Sequence, residues 1–222
     1  MTKEEKDVPP KRGRRKKKYG ELTMMDFNRE KYTKEIEEYG IRNAKYNISR
    51  GQGAEDLVVL LSYVDQLPYG ATYVETGFCD GSAIMAVALH RPDLQCYGID
   101  IQESGNYPKA KADLGFPNIT FIHGDSTDIA KTWDKPIDLL FIDTGRHMFP
   151  QIFYDFAGWY PFVRPQAPIL WHDYGEGLAE GDFEVGKAFN IFRDNPIYKT
   201  FIPVRDIGLQ SSIAIITKPC EI

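Results

Sequence analysis

Five carboxylates and two imidazoles fall where they could surround one ligand. The acids are Glu75, Asp100, Asp125, Asp143 and Asp173, and the imidazoles are His147 and His172. Four of the acids end, or directly follow, short apolar runs, at 72–75, 95–100, 137–142 and 168–172, and Asp125 follows the run 119–123 after one glycine. Runs of this length and spacing read as strands. In an open α/β sheet the ligand lies beyond the carboxyl ends of the strands. Acids are depleted within strands, so one at a strand edge says little, whereas five along one rim point to a site. Asp143, His147, His172 and Asp173 fall on two neighbouring loops. Such a set suits a divalent metal, with oxygen-rich sites favouring Mg2+ or Mn2+. It equally suits a general base, because imidazole titrates near neutral pH.

The stretch around Glu75 carries the clearest local signal. Gly77 and Gly81 follow the acid, and a helical apolar pattern begins at Ala83. A strand, a glycine turn and a helix form the nucleotide-binding corner of a doubly wound sheet. Glycine permits a sharp turn and a close approach of backbone to ligand. A pyrophosphate would prefer the bare positive end of the helix, so the carboxylate at the strand end favours a cationic or hydroxyl-bearing ligand instead. Asp100 stands 25 residues beyond Glu75, close to the spacing of an acid that holds a ribose diol. Asp125-Ser126 lies where an adenine edge would be bound, and the same pair can cap a helix. The three close glycines of a nicotinamide-dependent oxidoreductase are not supplied by Gly77-Phe-Cys-Asp-Gly81.

The elements that must position these groups alternate. Helices are predicted over 25–39 (ended by Gly40), 54–66, 81–90, 107–114, 126–132, 149–160 and 183–194. Strands are predicted at the five runs above, with two more at 200–204 and 211–217 closing the chain. Alternation of this kind predicts a doubly wound, mostly parallel seven-stranded α/β sheet with helices on both faces. With 222 residues, 42% of them hydrophobic, the chain can bury one domain core. It contains no apolar stretch long enough for a membrane span. Three cysteines without metal-ligand spacing predict no disulfide framework and fit a reducing compartment.

Charge divides the chain. Residues 1–20 carry nine Lys or Arg against three acids, while the whole chain is at −5. The run 11–18 reads as part of a disordered basic tail over 1–20, able to solubilise, to meet nucleic acid or anionic lipid, or to act as a localisation signal. The acidic remainder would repel a phosphate backbone. Residues 21–52 read as a helical extension that caps the site, and 53–222 as the catalytic domain. The expected location is the cytoplasm, with the nucleus an alternative in a eukaryotic cell. A homo-oligomer is a further possibility.

Taken together, the motifs resemble a class I S-adenosylmethionine-dependent methyltransferase, of the branch with small-molecule and sugar O-methyltransferases and cephalosporin-hydroxylase-like proteins. The resemblance rests on 75–82 (Glu-Thr-Gly-Phe-Cys-Asp-Gly-Ser), on Ile142-Asp143 with His147, on Trp159-Tyr-Pro161 with Pro165, on His172-Asp173-Tyr174, and on stretches beginning at Glu184 and Ile207. It implies S-adenosylmethionine as cofactor, held by Glu75, Thr76, Gly77, Gly81, Ser82, Asp100, Ile101, Asp125, Ser126 and Asp143. It further implies that Asp143, His172 and Asp173 occupy the positions that hold Mg2+ or another divalent cation in metal-dependent members. His147, His172 and Asp143 then become the catalytic candidates, acting on a hydroxyl, or less readily an amine, of a small-molecule or glycan acceptor. Departures from the pattern are Cys79 and Asp80 in the glycine turn, a longer loop at 144–146, Gln166-Ala167 in place of a Gly-Gly turn, and His172 in place of an acid. The alternative is a non-catalytic cofactor-binding module tethered to nucleic acid or a partner by the basic tail.

Overall fold

The computed structural model describes residues 28–42, 54–102, 116–144, 148–174, 184–194, 205–210 and 213–220. Their elements, in chain order, are α1 (Arg29–Arg42), α2 (Ala54–Val64), β1 (Thr72–Thr76), α3 (Ser82–His90), β2 (Gln95–Asp100), β3 (Ile119–His123), α4 (Ser126–Ala130), β4 (Leu139–Ile142), α5 (Phe149–Trp159), a 3-10 turn (Tyr160–Phe162), β5 (Pro168–Trp171), α6 (Val185–Asp194), β6 (Arg205–Gln210) and β7 (Ile213–Thr217). The seven strands form one sheet in the order β3-β2-β1-β4-β5-β7-β6. The first five strands are parallel, and β7 runs antiparallel to both of its neighbours. This is the expected doubly wound α/β sheet.

A parallel sheet needs cover on both faces, and alternation along the strands supplies two cores. Tyr73, Phe141, Leu170 and Ile215 face one way, toward Leu57, Leu60 and Leu61 of α2 and Ile84 and Met85 of α3. Val74, Leu140, Ile142, Ile169 and Trp171 face the other, toward Ile152, Phe156 and Trp159 of α5 and Phe189 and Phe192 of α6. Successive residues pointing to opposite faces is the period of a strand. Helix α1 is tied to the domain through Asp65, which accepts hydrogen bonds from Lys31 Nζ (2.8 Å) and Tyr32 Oη (2.7 Å) and lies 2.7 Å from His90 Nε2.

Several element boundaries differ from the sequence expectations. Gly40 does not end α1, which continues to Arg42; one interior glycine costs only about 1 kcal/mol relative to alanine. Strand β4 begins at Leu139, and Ile137 makes only an isolated bridge to Val163. The described strand β6 is at 205–210, a stretch that the sequence expectations leave unassigned. It pairs on one side only, at the sheet edge, so its Arg-Asp-Ile-Gly-Leu-Gln sequence has no apolar run to reveal it. Residues 200–204, the helix expected at 107–114 and the basic tail lie outside the described residues. Among the described residues, no helix is long and apolar enough to cross a membrane.

Candidate active site

The backbone ladder brings the strand ends to one level. Gly77 N donates to Ile99 O at 2.7 Å, Asp143 N to Thr76 O at 2.9 Å, and His172 N to Ile142 O at 3.0 Å. Because β1 lies between β2 and β4, with β5 beyond, Asp100 stands on one side of the Gly77 turn and the Asp143 and His172-Asp173 ends on the other. Gly77 has φ +81°, and a Cβ there would lie 2.1 Å from the Asp143 carbonyl oxygen. The glycine turn therefore rests directly on the end of β4, with no room for a side chain.

On the β2 side, both oxygens of Asp100 accept backbone N–H groups. Cys79 N reaches Oδ2 at 2.8 Å and Gln102 N reaches Oδ1 at 2.8 Å. A carboxylate has about four acceptor positions, so Asp100 retains capacity for ligand hydroxyls while ordering the loop. Cys79 has φ +47°, which closes the turn where the sequence lacks a further glycine. Gly81, at φ +82°, caps α3, and Ser82 N donates to Asp80 Oδ1. Ile101 is 61% exposed beside this loop. Asp125 caps α4, accepting from Thr127 N (2.8 Å) and Thr127 Oγ1 (2.5 Å), and these bonds hold its carboxyl below the usual range despite partial burial.

Glu75 lies beneath the turn and is buried. Burial pushes its carboxyl up to about 8; the nearby Asp143 adds to the rise, while the Tyr73 hydroxyl and His172 oppose it. Thr76 is fully buried, and its Oγ1 has no hydrogen-bond partner among the described residues.

On the β5 side, one imidazole meets three carboxylates. His172 Nδ1 lies 3.0 Å from Asp143 Oδ1 and 3.3 Å from Asp173 Oδ1, and Nε2 lies 3.5 Å from Asp56 Oδ2. The last is an ionic contact longer than a well-formed hydrogen bond, and Nε2 is a buried nitrogen with no aligned acceptor. Burial alone would lower the pKa of this ring; the carboxylates of Asp143, Asp173 and Asp56 outweigh it and raise it well above the ordinary range. Without a cation, the ring is therefore an imidazolium at neutral pH, with no lone pair to accept a proton. Asp173 reaches the site from φ +57°, a left-handed conformation that aspartate tolerates better than most residues. Ligand atoms of Asp143, His172 and Asp173 lie within 4.8 Å of one another, a spacing that one divalent ion can bridge.

Two buried acids that contact the site's residues escape the sequence reading. Asp56 looks like an ordinary acid in the first turn of α2. Asp155 is fully buried and accepts from Ser126 Oγ, Thr144 Oγ1 (2.6 Å) and Gln151 Nε2 (3.3 Å), which ties the loops after β3 and β4 to α5. Its signal was available, since an acid falls on the apolar stripe Ile152, Phe156, Trp159 of α5. Ser126 thus spends its hydroxyl on Asp155. His147 lies outside the described residues.

Comparison with known proteins agrees with this geometry. Residues 74–174 match a family model described as a methyltransferase domain. No curated protein sequence matches the chain. Among solved structures, the chain is similar to CalS11, a TDP-rhamnose 3'-O-methyltransferase of calicheamicin biosynthesis, at 15% identity and a TM-score of 0.54, over 85% of this chain and 92% of that one. It is similar to the O-methyltransferase NovP at 15% identity and a TM-score of 0.54, over 76% and 81%. It is also similar to MycE, solved in complex with Mg and SAH, at 18% identity and a TM-score of 0.54, over 72% of this chain and 48% of that one. The chain thus spans about half the length of MycE. The matched stretch begins at β1 and ends just beyond Asp173, so it contains every strand end that builds the site. Residues 74–174 thus match a methyltransferase domain, and the likeness to the solved methyltransferases is one of fold.

Proposed function

We propose that the chain transfers a methyl group from S-adenosylmethionine to a hydroxyl of a small-molecule or sugar-like acceptor, with a divalent cation assisting. The observation that carries this reading is the shared level of Gly77, Asp100, Asp143 and His172 along one sheet edge, within the matched methyltransferase domain. The residues suit the cofactor. Asp100 offers acceptor capacity to ribose hydroxyls, the Gly77 turn offers bare backbone, and buried Glu75 suits a cationic ligand. They also suit a hard cation, with two carboxylates and one imidazole converging at the ends of β4 and β5. S-adenosylmethionine supplies a methyl group on a sulfonium, and a divalent cation lowers the pKa of a hydroxyl bound to it.

The chain's own work is alignment, exclusion of water and placement of a proton acceptor. Gly77 and Asp100 fix the donor side, and Asp143 borders both donor and acceptor sides. His172 is assigned the role of ligand, because its Nδ1 converges with Asp143 and Asp173 within the span of one ion, which would displace the ring proton. The acceptor proton is assigned to His147, which follows β4 in the sequence. A sugar-like acceptor is favoured by one of the named structures, CalS11, a TDP-rhamnose 3'-O-methyltransferase.

Thermal shift with S-adenosylhomocysteine, against NAD as control, tests the reading. Ligand at about a hundred times its dissociation constant stabilises by roughly 2.7 kcal/mol, or about 5–11 °C for a chain of this size. Stabilisation by the homocysteine compound alone is expected, with a further rise when Mg2+ is added. A folded sample that responds to neither overturns it and brings forward a non-catalytic binding module.

A further inference from the structure

Helix α2 lies before the matched methyltransferase stretch, yet one of its side chains enters the site. We propose that Asp56 is a positioning residue: it accepts the Nε2 proton of His172, and so turns the Nδ1 lone pair toward Asp143 and Asp173, where a divalent cation is held. This rests on the metal-assisted reading above.

Three observations support the orientation. First, the two faces of the ring's polar edge are unequal. Asp143 Oδ1 and Asp173 Oδ1 lie 3.0 and 3.3 Å from Nδ1, whereas the single oxygen of Asp56 lies 3.5 Å from Nε2. Metal–ligand bonds of roughly 2.0–2.2 Å place adjacent ligand atoms about 3 Å apart, which matches the Nδ1 side. Second, Nε2 is buried and makes no hydrogen bond of its own, and the buried Asp56 carboxylate lies 3.5 Å away, in ion-pair range and close enough to take up the Nε2 proton once Nδ1 binds a cation. A metal-bound histidine almost always donates its other N–H to such a group, which sets its tautomer and ring direction. Third, the parts are held rigidly. Leu57, Val58, Leu60 and Leu61 bury α2 against the sheet, and Phe141 packs edge-on against the His172 ring at 5.9 Å. The carboxylate also sits in the first turn of α2, where the helix dipole favours its negative charge.

Cobalt(II) titration of the full chain tests this, read by visible absorption and affinity, with Asp56→Ala, Asp56→Asn and, as a control for helix charge, Glu55→Ala. Circular dichroism and S-adenosylhomocysteine binding report folding. The wild type and Glu55→Ala are expected to bind with the same spectrum. Asp56→Ala should bind about 10–100-fold more weakly with an altered spectrum, and Asp56→Asn should recover part of the loss, because its amide oxygen can accept the same proton. Nitrogen-15 NMR of the zinc-loaded wild type should show His172 protonated at Nε2. Folded Asp56 variants with wild-type affinity and spectrum, or a zinc-bound Nε2, would overturn the positioning role while leaving the metal reading intact. A wild type that binds S-adenosylhomocysteine but no cobalt overturns the metal reading, and the role of Asp56 with it.

Discussion

Tyr73 donates its hydroxyl to Glu75 Oε2 at 2.6 Å, two residues further along the same strand. Residues at i and i+2 share a face, so both groups project into the core side of β1, where both are buried. The bond satisfies a buried carboxyl without supplying a countercharge. Burial therefore holds the Glu75 carboxyl far above the usual carboxylate range and favours its protonated form.

A pH signature follows from Glu75. Burial raises its pKa from 4.5 to about 8, so the folded chain holds a proton that the unfolded chain releases. Its contribution to stability is fully present below about pH 4.5 and is lost as pH rises through about 8. Urea unfolding of the ligand-free protein between pH 5 and 8 should show wild-type stability falling more steeply than that of Glu75→Gln. Equal slopes would contradict the protonated state. The same variant should bind S-adenosylmethionine more weakly at pH 8, where the wild type can ionise.

Removing the ring of His172 strands three carboxylates. His172→Ala is expected to cost roughly 3–5 kcal/mol near neutral pH with chelator present, the range for breaking a buried ion pair. The folded pKa is raised above the unfolded value of 6.5. The wild-type advantage is therefore fully present below pH 6.5, and it diminishes as pH rises through the alkaline range toward the folded pKa. Chemical denaturation at pH 6.5 and 9.5 measures it. An advantage that grows with pH would mean the ring is neutral.

Asp100 orders the loop after β1 through Cys79 N and Gln102 N, and in the proposed reading it offers acceptors to a ribose. Asp100→Ala should weaken S-adenosylhomocysteine binding by about 10–100-fold, equivalent to the roughly 1.5–3 kcal/mol of a charged hydrogen bond, measured by calorimetry. His172→Ala, in contrast, should change that affinity little. Unaltered binding by the Asp100 variant would remove it from the cofactor site.

Two glycines with similar backbone angles should respond differently to alanine. Gly70, at φ +71°, has no atom within 4 Å of a built Cβ, whereas Gly77 meets backbone atoms of Asp143 and Thr144 at 2.1–2.6 Å. Gly70→Ala should cost only about 1–2 kcal/mol, the left-handed penalty. Gly77→Ala should cost more and abolish S-adenosylhomocysteine binding, because the β1 turn must move away from β4. Thermal unfolding and calorimetry of both variants decide this.

The sequence by itself determined the sheet and the rim. The apolar runs at 72–75 and 137–142, the glycines at 77 and 81, and the acids that follow the runs are local patterns, legible before any element meets its partners. The same patterns marked Asp143, His172 and Asp173 as neighbours, since consecutive strand ends in a doubly wound sheet share an edge. Tertiary structure alone decided what each acid faces. Asp56 and His172 are distant in the chain and carry no shared pattern; they meet because the apolar face of α2 packs on the sheet and brings its first turn to the end of β5. Asp155 acquires the Ser126 and Thr144 donors only when α5 closes over the loops after β3 and β4. The edge strand β6 also escaped the sequence, because a strand paired on one side can be polar. Periodicity encodes direction along one element, whereas the partner at the far end of a side chain depends on how separate elements pack.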